Sequence, residues 1–358
     1  MVGGAEKTMV NLVNEFAREN FEVSLVLAQA KGPYLKYLSS NVNVVDLHSS
    51  SVALSLPGLV RYLKTSRPHV LVSALSHANV ISILAKKLSS VSTKVIARED
   101  TTLSESFKNS RSIKVSILKI LMRKFYSQAD YVVAVSEEVK NDLNGFLRLD
   151  TKKLKVIYNP IVTEDLYQKS KQEVDHPWFK NSNLYIIISV GRLTKAKDFP
   201  TLIKAFSFVI REVNARLIIL GEGEERKNLE NLSQDLGLKD YIWMPGFVEN
   251  PYKYMSRSSV FVLSSVYEGL PSVLVEALAL GLPIVSTDCK SGPKEILENG
   301  KYGTLVAPGD EISLAKAILN VLHKRPEFNI DDSVLERYKP NFVRQRYLEL
   351  IYEVQENS

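Results

Sequence analysis

Glu268 and Glu276, with seven residues between them, carry the strongest chemical signal in the sequence. They belong to Ser264-Ser265-Val266-Tyr267-Glu268-Gly269-Leu270-Pro271-Ser272-Val273-Leu274-Val275-Glu276, which follows the apolar run Val260–Leu263. That run reads as a strand, and Pro271, lacking an N–H, suits the first turn of the helix after it. Glu268 then falls on the strand-to-helix loop and Glu276 one to two turns into the helix. From Val273 to Leu280 every residue but Glu276 is apolar, so the helix is expected to be buried nearly all round. A carboxylate there needs partners, because an unpaired buried charge is expensive. Two readings follow. Neighbouring hydroxyls of a ribose would suit Glu276, since a carboxylate accepts from both; alternatively Glu276 is a structural ion pair and Glu268 a partner for the helix dipole.

A second group is Gly191-Arg192-Leu193-Thr194-Lys195-Ala196-Lys197, placed between a strand pattern and a helix pattern. Glycine permits the tight turn, while the planar fork of Arg192 and the point charge of Lys197 can converge on a diphosphate. A solvated basic turn is the plain alternative, and Lys195 fits the surface. Weaker signals are the turns Gly221-Glu222-Gly223 and Pro245-Gly246-Phe247-Val248, each after a strand pattern, and Ser291-Gly292-Pro293-Lys294-Glu295-Ile296, which also reads as a helix start. Gly3-Gly4-Ala5-Glu6 is a glycine-rich turn opening a helix, where backbone amides can meet an anion. Ser136 and Asn159-Pro160 read as a helix cap and a turn.

Strand and helix patterns alternate along the chain, as in parallel α/β layers. Strands are expected at 22–28, 42–47, 69–75, 94–98, 131–135 and 154–158, then at 184–190, 215–220, 241–244, 260–263 and 283–287. Helices are expected at 7–20 and 112–127, then at 199–212, 226–237, 271–280, 312–323 and 341–355. A polar, proline-marked stretch from Asn159 to Trp178 reads as a linker. The 358 residues therefore divide into a first lobe over 1–170, a second over 171–340 and a terminal helix over 341–358. Doubly wound sheets bind ligands at the carboxyl ends of their strands.

The single cysteine, Cys289, excludes an internal disulfide framework and fits a reducing, cytoplasmic setting. No apolar run reaches the ~18–20 residues that cross a bilayer. The net charge of +6 is uneven: residues 1–170 carry 23 Lys and Arg against 15 Asp and Glu, and the remainder carries 23 against 25. The first half is thus expected to meet something anionic. A lipid surface or phosphorylated acceptor suits it better than nucleic acid, for which no zinc spacing, aromatic sheet motif or basic heptad region is present. Between Lys108 and Lys124 six basic residues (Lys108, Arg111, Lys114, Lys119, Arg123, Lys124) are interleaved with aliphatic ones and no acidic residue. That reads either as a face lying on anionic membrane or as an ordinary packed helix with a basic rim.

In these motifs, and over nearly its whole length, the sequence resembles the retaining family-4 glycosyltransferases of GT-B fold, whose hallmark is Glu-x7-Glu. The likeness is nearest to bacterial enzymes that extend undecaprenyl-diphosphate-linked oligosaccharides with N-acetylgalactosamine or related hexoses, and Glu249-Asn250-Pro251-Tyr252-Lys253-Tyr254-Met255 shares in it. The resemblance implies two facing Rossmann-like lobes, with the terminal helix crossing back to the first. It places Glu268 on the donor-sugar hydroxyls and Glu276 on the nucleotide ribose. It puts Arg192 and Lys197 on the donor diphosphate, and Gly246, Phe247 and Val248 beside the base. Leu270 and Ser272 flank the donor, and Gly4 lies beside its phosphate. Many relatives carry a histidine near the reacting sugar where this chain has Asp100, preceded by Glu99; Asp100 or Glu99 is the expected substitute, with His77 a further candidate.

The implied reaction moves a hexose or N-acetylhexosamine from a nucleotide diphosphate sugar, UDP-linked by expectation, to a hydroxyl of a lipid-linked or polysaccharide glycan, with retention. Arg192, Lys197 and helix-start amides would stabilise charge on the departing diphosphate, which itself takes up the acceptor's proton. No cofactor or metal is called for, and no Asp-x-Asp occurs. Rival readings are a sugar-nucleotide epimerase or hydrolase of the same architecture and a non-catalytic sugar-nucleotide-binding subunit. A nicotinamide dehydrogenase would want Gly-x-Gly-x-x-Gly with an acidic residue ~20 positions on, and no such run is found. A glycine turn such as Gly3-Gly4 ordinarily follows a strand, so an apolar strand about ten residues upstream of Met1 is expected at the centre of the first sheet.

Overall fold

Short β-branched runs make poor helices but good buried parallel strands, and the amphipathic stretches between them must cover both faces. The computed structural model, which describes residues 4–19, 21–108, 112–324 and 330–356, shows that arrangement twice. One unit comprises Met1–Ile161 with Arg337–Ser358, the other Val162–Glu336.

The first unit carries strands β1 (Val23–Leu27), β2 (Val42–Asp46), β3 (Val70–Ala74), β4 (Lys94–Glu99), β5 (Tyr131–Ala134) and β6 (Leu154–Val156). Its helices include α1 (Gly4–Phe16), α2 (Leu56–Ser66), α3 (Ser76–Ser89), α4 (Leu103–Lys108), α5 (Ile113–Phe125) and α6 (Glu137–Leu147). The strands are parallel but form two sheets, β1-β2 and β3-β4-β5-β6. Among the described residues no strand joins β1 to β3, yet the same helices serve both sheets. From α1, Leu12, Met9 and Phe16 pack with Val70 and Val72 of β3, while Val13 and Ala17 pack with Val23 and Leu25 of β1. In another cluster Val26 of β1 and Leu71 of β3 meet Leu59 and Leu63 of α2. Gly3 lies outside the described residues.

The second unit holds α7 (Glu164–Ser170), β7 (Tyr185–Val190), α8 (Phe199–Glu212), β8 (Ala215–Leu220), α9 (Arg226–Asp235), β9 (Ile242–Gly246), α10 (Tyr252–Met255), β10 (Val260–Leu263), α11 (Ser272–Ala279), β11 (Ile284–Thr287), α12 (Pro293–Ile296), β12 (Thr304–Val306), α13 (Glu311–Lys324) and α14 (Asp332–Glu336). Its six parallel strands run in the order β12-β11-β10-β7-β8-β9. The core joins Ile187, Leu217 and Val262 of the sheet to Leu202 and Phe206 of α8 and Ile318 of α13. The edge strand β12, half-buried and only three residues long, was not expected from the sequence.

Two boundaries shift from the expected ones. The stretch read as a linker is partly the second unit's own, because α7 packs against α10 and Arg257 donates to the carbonyl of Ser170 at 2.8 Å. The units therefore part after Ile161 rather than near residue 170. At the other end Arg337 and Tyr338 already belong to the first unit, whose Tyr158 ring Tyr338 meets edge-on at 5.3 Å. The last helix, α15 (Pro340–Glu356), packs on α1 through Val343, Tyr347 and Leu12, and Arg344 pairs with Glu15 at 3.1 Å.

Candidate functional site

In the second unit the chain starts at β7, winds outward through β8 and β9, then returns to the other side of β7 as β10, β11 and β12. The direction of winding reverses between β7 and β10, and a doubly wound sheet opens its ligand crevice outside the carboxyl ends at such a reversal. The loop after β7 is Gly191–Lys197; the loop after β10 runs from Ser264 to Pro271. Both strongest sequence signals thus flank the crevice.

Hydrogen bonds to backbone carbonyls zip the two loops together. Val266 N–H donates to the carbonyl of Ala196 at 2.8 Å, and Ser264 Oγ donates to that of Lys197 at 2.8 Å. This register brings Lys197 Nζ to 2.5 Å from Glu268 Oε1, which also accepts from Ser265 Oγ at 2.6 Å. The lysine side chain is 20% exposed and the glutamate 11%, so the pair faces the crevice from a largely desolvated seat. A third loop, after β11, supports it: Glu268 N–H donates to Lys290 O at 3.1 Å, and the buried Ser291 donates to Gly269 O at 2.7 Å. Cys289 lies beneath; burial first, and then the negative Glu268, push its thiol up to about 12, which leaves it no nucleophile.

Glycines fix the other wall. Leu193 is fully buried, its N–H donating to Glu222 O at 2.9 Å while its carbonyl accepts from Glu225 N–H at 3.0 Å. The turn after β8 lies so close that a Cβ on Gly223 would stand 2.2 Å from Leu193 O. Gly221-Glu222-Gly223 is thus a backbone clamp on the Arg192 loop. Gly223→Ala is expected to cost about 1–3 kcal/mol by overpacking, because the Leu193 backbone must give way. Urea denaturation checks it, and an alanine variant as stable as the parent would remove the clamp.

Glu276 sits in the second turn of α11, 7% exposed, and accepts from Tyr252 Oη at 2.9 Å. Tyr252 is 4% exposed at the start of α10, where Asn250 Oδ1 caps its N–H at 3.1 Å. No local pattern in the sequence announces this contact. Pro271 stands at the N-cap rather than inside the helix, which begins at Ser272. Leu270 is buried, Ser272 half-buried, and Arg192 exposed at the end of β7. Gly246 ends β9 with φ 92°, followed by a Phe247 that is 53% exposed and a half-buried Val248. That edge lies two strands from β7, about 10 Å at ordinary strand spacing.

The candidates of the first unit are placed otherwise. Gly4 opens α1, and His77 lies exposed in the first turn of α3. Asp100 is buried and pairs with Arg98 at 2.6 Å; Arg98 in turn donates to Asn159. Glu99 is buried on the opposite side, accepting from Asn79 at 2.9 Å, Ser76 at 3.0 Å and the Tyr126 hydroxyl. Burial pushes Glu99 up to about 7, its three donors working against that shift. Asp100 is raised too, by burial opposed by Arg98. Ser136 caps α6, accepting from Val139 N–H at 3.2 Å. Among the described residues no three His, Cys, Asp or Glu side chains stand together as a metal cluster.

With that geometry in view, two family models match the chain: "Glycosyltransferase Family 4" over residues 2–165 and "Glycosyl transferases group 1" over residues 170–335. An uncharacterized glycosyltransferase of Methanocaldococcus jannaschii is 31% identical over 315 residues, 81% of this chain and 76% of that one. A Campylobacter jejuni protein named N-acetylgalactosamine-N,N'-diacetylbacillosaminyl-diphospho-undecaprenol 4-alpha-N-acetylgalactosaminyltransferase is 31% identical over 94% of this chain and 90% of its own. Among solved structures, Anabaena HepE in complex with UDP-glucose matches with a TM-score of 0.80 at 19% identity, covering 99% of this chain and 97% of that one. Sucrose-phosphate synthase from Thermosynechococcus elongatus gives 0.81 at 17% identity, covering 100% and 95%.

Proposed function

The chain belongs to the family-4 glycosyltransferases of GT-B fold, with two Rossmann-like units, and we propose that it moves a hexose or N-acetylhexosamine from a UDP-sugar to a hydroxyl of a lipid-linked glycan. The observation that carries this reading is the Lys197–Glu268 pair at the winding reversal, with the buried carboxylate of Glu276 on the helix that follows. Lys197 and Arg192 take the diphosphate, Glu268 the sugar hydroxyls, and Glu276, oriented by Tyr252, the ribose. The base lies along Gly246-Phe247-Val248, where the exposed Phe247 ring offers a stacking surface. The names of the Campylobacter relative and of the HepE complex support a lipid-diphosphate acceptor and a UDP-linked donor respectively.

In the proposed step the acceptor oxygen bonds to the anomeric carbon on the face that the diphosphate leaves. The carbon–oxygen bond to phosphate breaks, and the acceptor's proton passes to a phosphate oxygen, so configuration is retained. Lys197 and Arg192 stabilise the charge that grows on the leaving group, a role that asks for no metal. The enzyme works at the cytoplasmic face of the membrane.

Calorimetry with UDP tests the donor grip. Glu276→Ala is expected to weaken binding about 10–100-fold, the worth of a charged hydrogen bond, and Tyr252→Phe to weaken it less. Unchanged UDP affinity in a folded Glu276→Ala protein would remove the assignment. Product analysis with and without lipid-linked acceptor separates transfer from epimerisation or hydrolysis.

A further inference from the structure

Helix α5 has two apolar faces, and packing accounts for only one. Met122 and Phe125 point inward, fully buried and 9% exposed, on the side where α5 packs against α3. At 100° per residue Ile113, Ile117 and Ile120 fall on a single stripe on the other side. They are 77%, 51% and 64% exposed. Isolated surface aliphatics are ordinary, but three large ones in one helical row are a patch that asks for a partner.

The charges around the row say which partner. Ile113–Phe125 contains Lys114, Lys119, Arg123 and Lys124 and no acidic residue. Lys114 flanks the row near its start and Lys124 closes it, while Lys119 and Arg123 lean toward the Phe107 and Phe146 rings at 5.3 Å and 4.9 Å. The one carboxylate of α4, Glu105, is paired with Lys108 at 3.5 Å. A second copy docking by this face would set like charges against each other. An anionic lipid surface takes both features together: aliphatic side chains enter the acyl boundary and the cations stay among the headgroups. At 13 residues the helix is about 20 Å long, short of the ~30 Å hydrocarbon core, so it lies along the surface.

We propose that the Ile113–Ile117–Ile120 face of α5, rimmed by Lys114 and Lys124, docks this enzyme on anionic membrane. The proposal rests on the lipid-linked acceptor only for its purpose; the face itself is argued from α5.

Flotation of the full chain with vesicles of phosphatidylcholine, alone or mixed with phosphatidylglycerol, tests it without donor or acceptor. The parent should float with the mixed vesicles and poorly with the neutral ones. I113S/I117S/I120S should lower partitioning about 100-fold or more, and K114Q/K124Q about 25-fold on anionic vesicles, roughly five-fold per charge. These side chains are exposed, so melting temperature should hold; Ile120→Ser alone serves if the triple variant does not fold. Failure of the parent to float with anionic vesicles overturns the proposal, as does an isoleucine variant that floats like the parent. A concentration-dependent dimer abolished by the isoleucine changes would also overturn it, assigning the face to a second copy. UDP affinity in the same preparations keeps the two readings apart: intact affinity without flotation sinks the docking face alone, and flotation without UDP binding sinks the donor reading alone.

Discussion

Glu268→Gln is expected to slow sugar transfer by about 10²–10³-fold, the usual cost of deleting one preorganised electrostatic contact, while UDP affinity does not fall. The sign of the second half comes from the Lys197 pair. In the parent, the ammonium is balanced by Glu268 Oε1 at 2.5 Å, so an arriving diphosphate must compete with that carboxylate. The amide keeps the shape of the side chain and a hydrogen bond to Ser265 but releases the lysine charge. UDP, which lacks the sugar, then meets a cation less committed elsewhere. Transfer suffers because the carboxylate that would hold the sugar hydroxyls through the transition state has lost its charge, and an interaction made there more strongly than in the ground state is what sets the rate. Lys197→Met is the complementary variant, expected to lose both UDP affinity and turnover. Initial rates with saturating donor, beside calorimetry with UDP, give both quantities. Turnover within three-fold of the parent in a folded Glu268→Gln protein would take Glu268 out of the chemistry.

What made this site legible was local. The run Val260–Leu263 is buried throughout, and a glycine-proline loop after it fixed where Glu268 had to stand. The boundaries of β8 and β10 agree with the apolar runs because such runs, once central in a parallel sheet, have no face left for polar residues. Contacts distant in sequence were not legible. Tyr252 reaches Glu276 across 24 residues of chain, and nothing in either segment marks the other. Edge elements were equally hard, since Thr304–Val306 pairs on one side only and is too short for alternation to show. The inward turn of Asp100 was readable in principle. Side chains two apart on a strand share a face, so Arg98 and Asp100 were placed to meet, with Glu99 pointing the other way.

Arg98 and Asp100 form a largely buried pair whose loss is expected to be costly. Arg98 is 1% exposed, and its guanidinium holds Asp100 at 2.6 Å, Asn159, and the sulfur of Met9 at 3.6 Å. Arg98→Ala strands the Asp100 carboxylate in a buried site, and breaking one side of such a pair costs about 3–5 kcal/mol. The cost should depend on pH. The folded protein holds a proton on Glu99 up to about 7, whereas the unfolded chain releases it near 4.5. Between those values the native state binds more protons, so this contribution to stability is fully present below 4.5 and lost as pH rises through 7. The change is on the order of 3 kcal/mol. Asp100 is raised as well and acts in the same direction. With the guanidinium gone it rises further, so Arg98→Ala should recover part of its loss on acidification, when the stranded carboxylate takes up a proton. Glu99→Gln should flatten the parent's fall between pH 5 and 8. Both tryptophans, Trp178 and Trp243, lie in the other unit, so urea unfolding is better followed by far-UV circular dichroism than by tryptophan emission. An Arg98→Ala protein within 1 kcal/mol of the parent at both pH 5 and pH 8 would show that the pair is not what holds β4 in place.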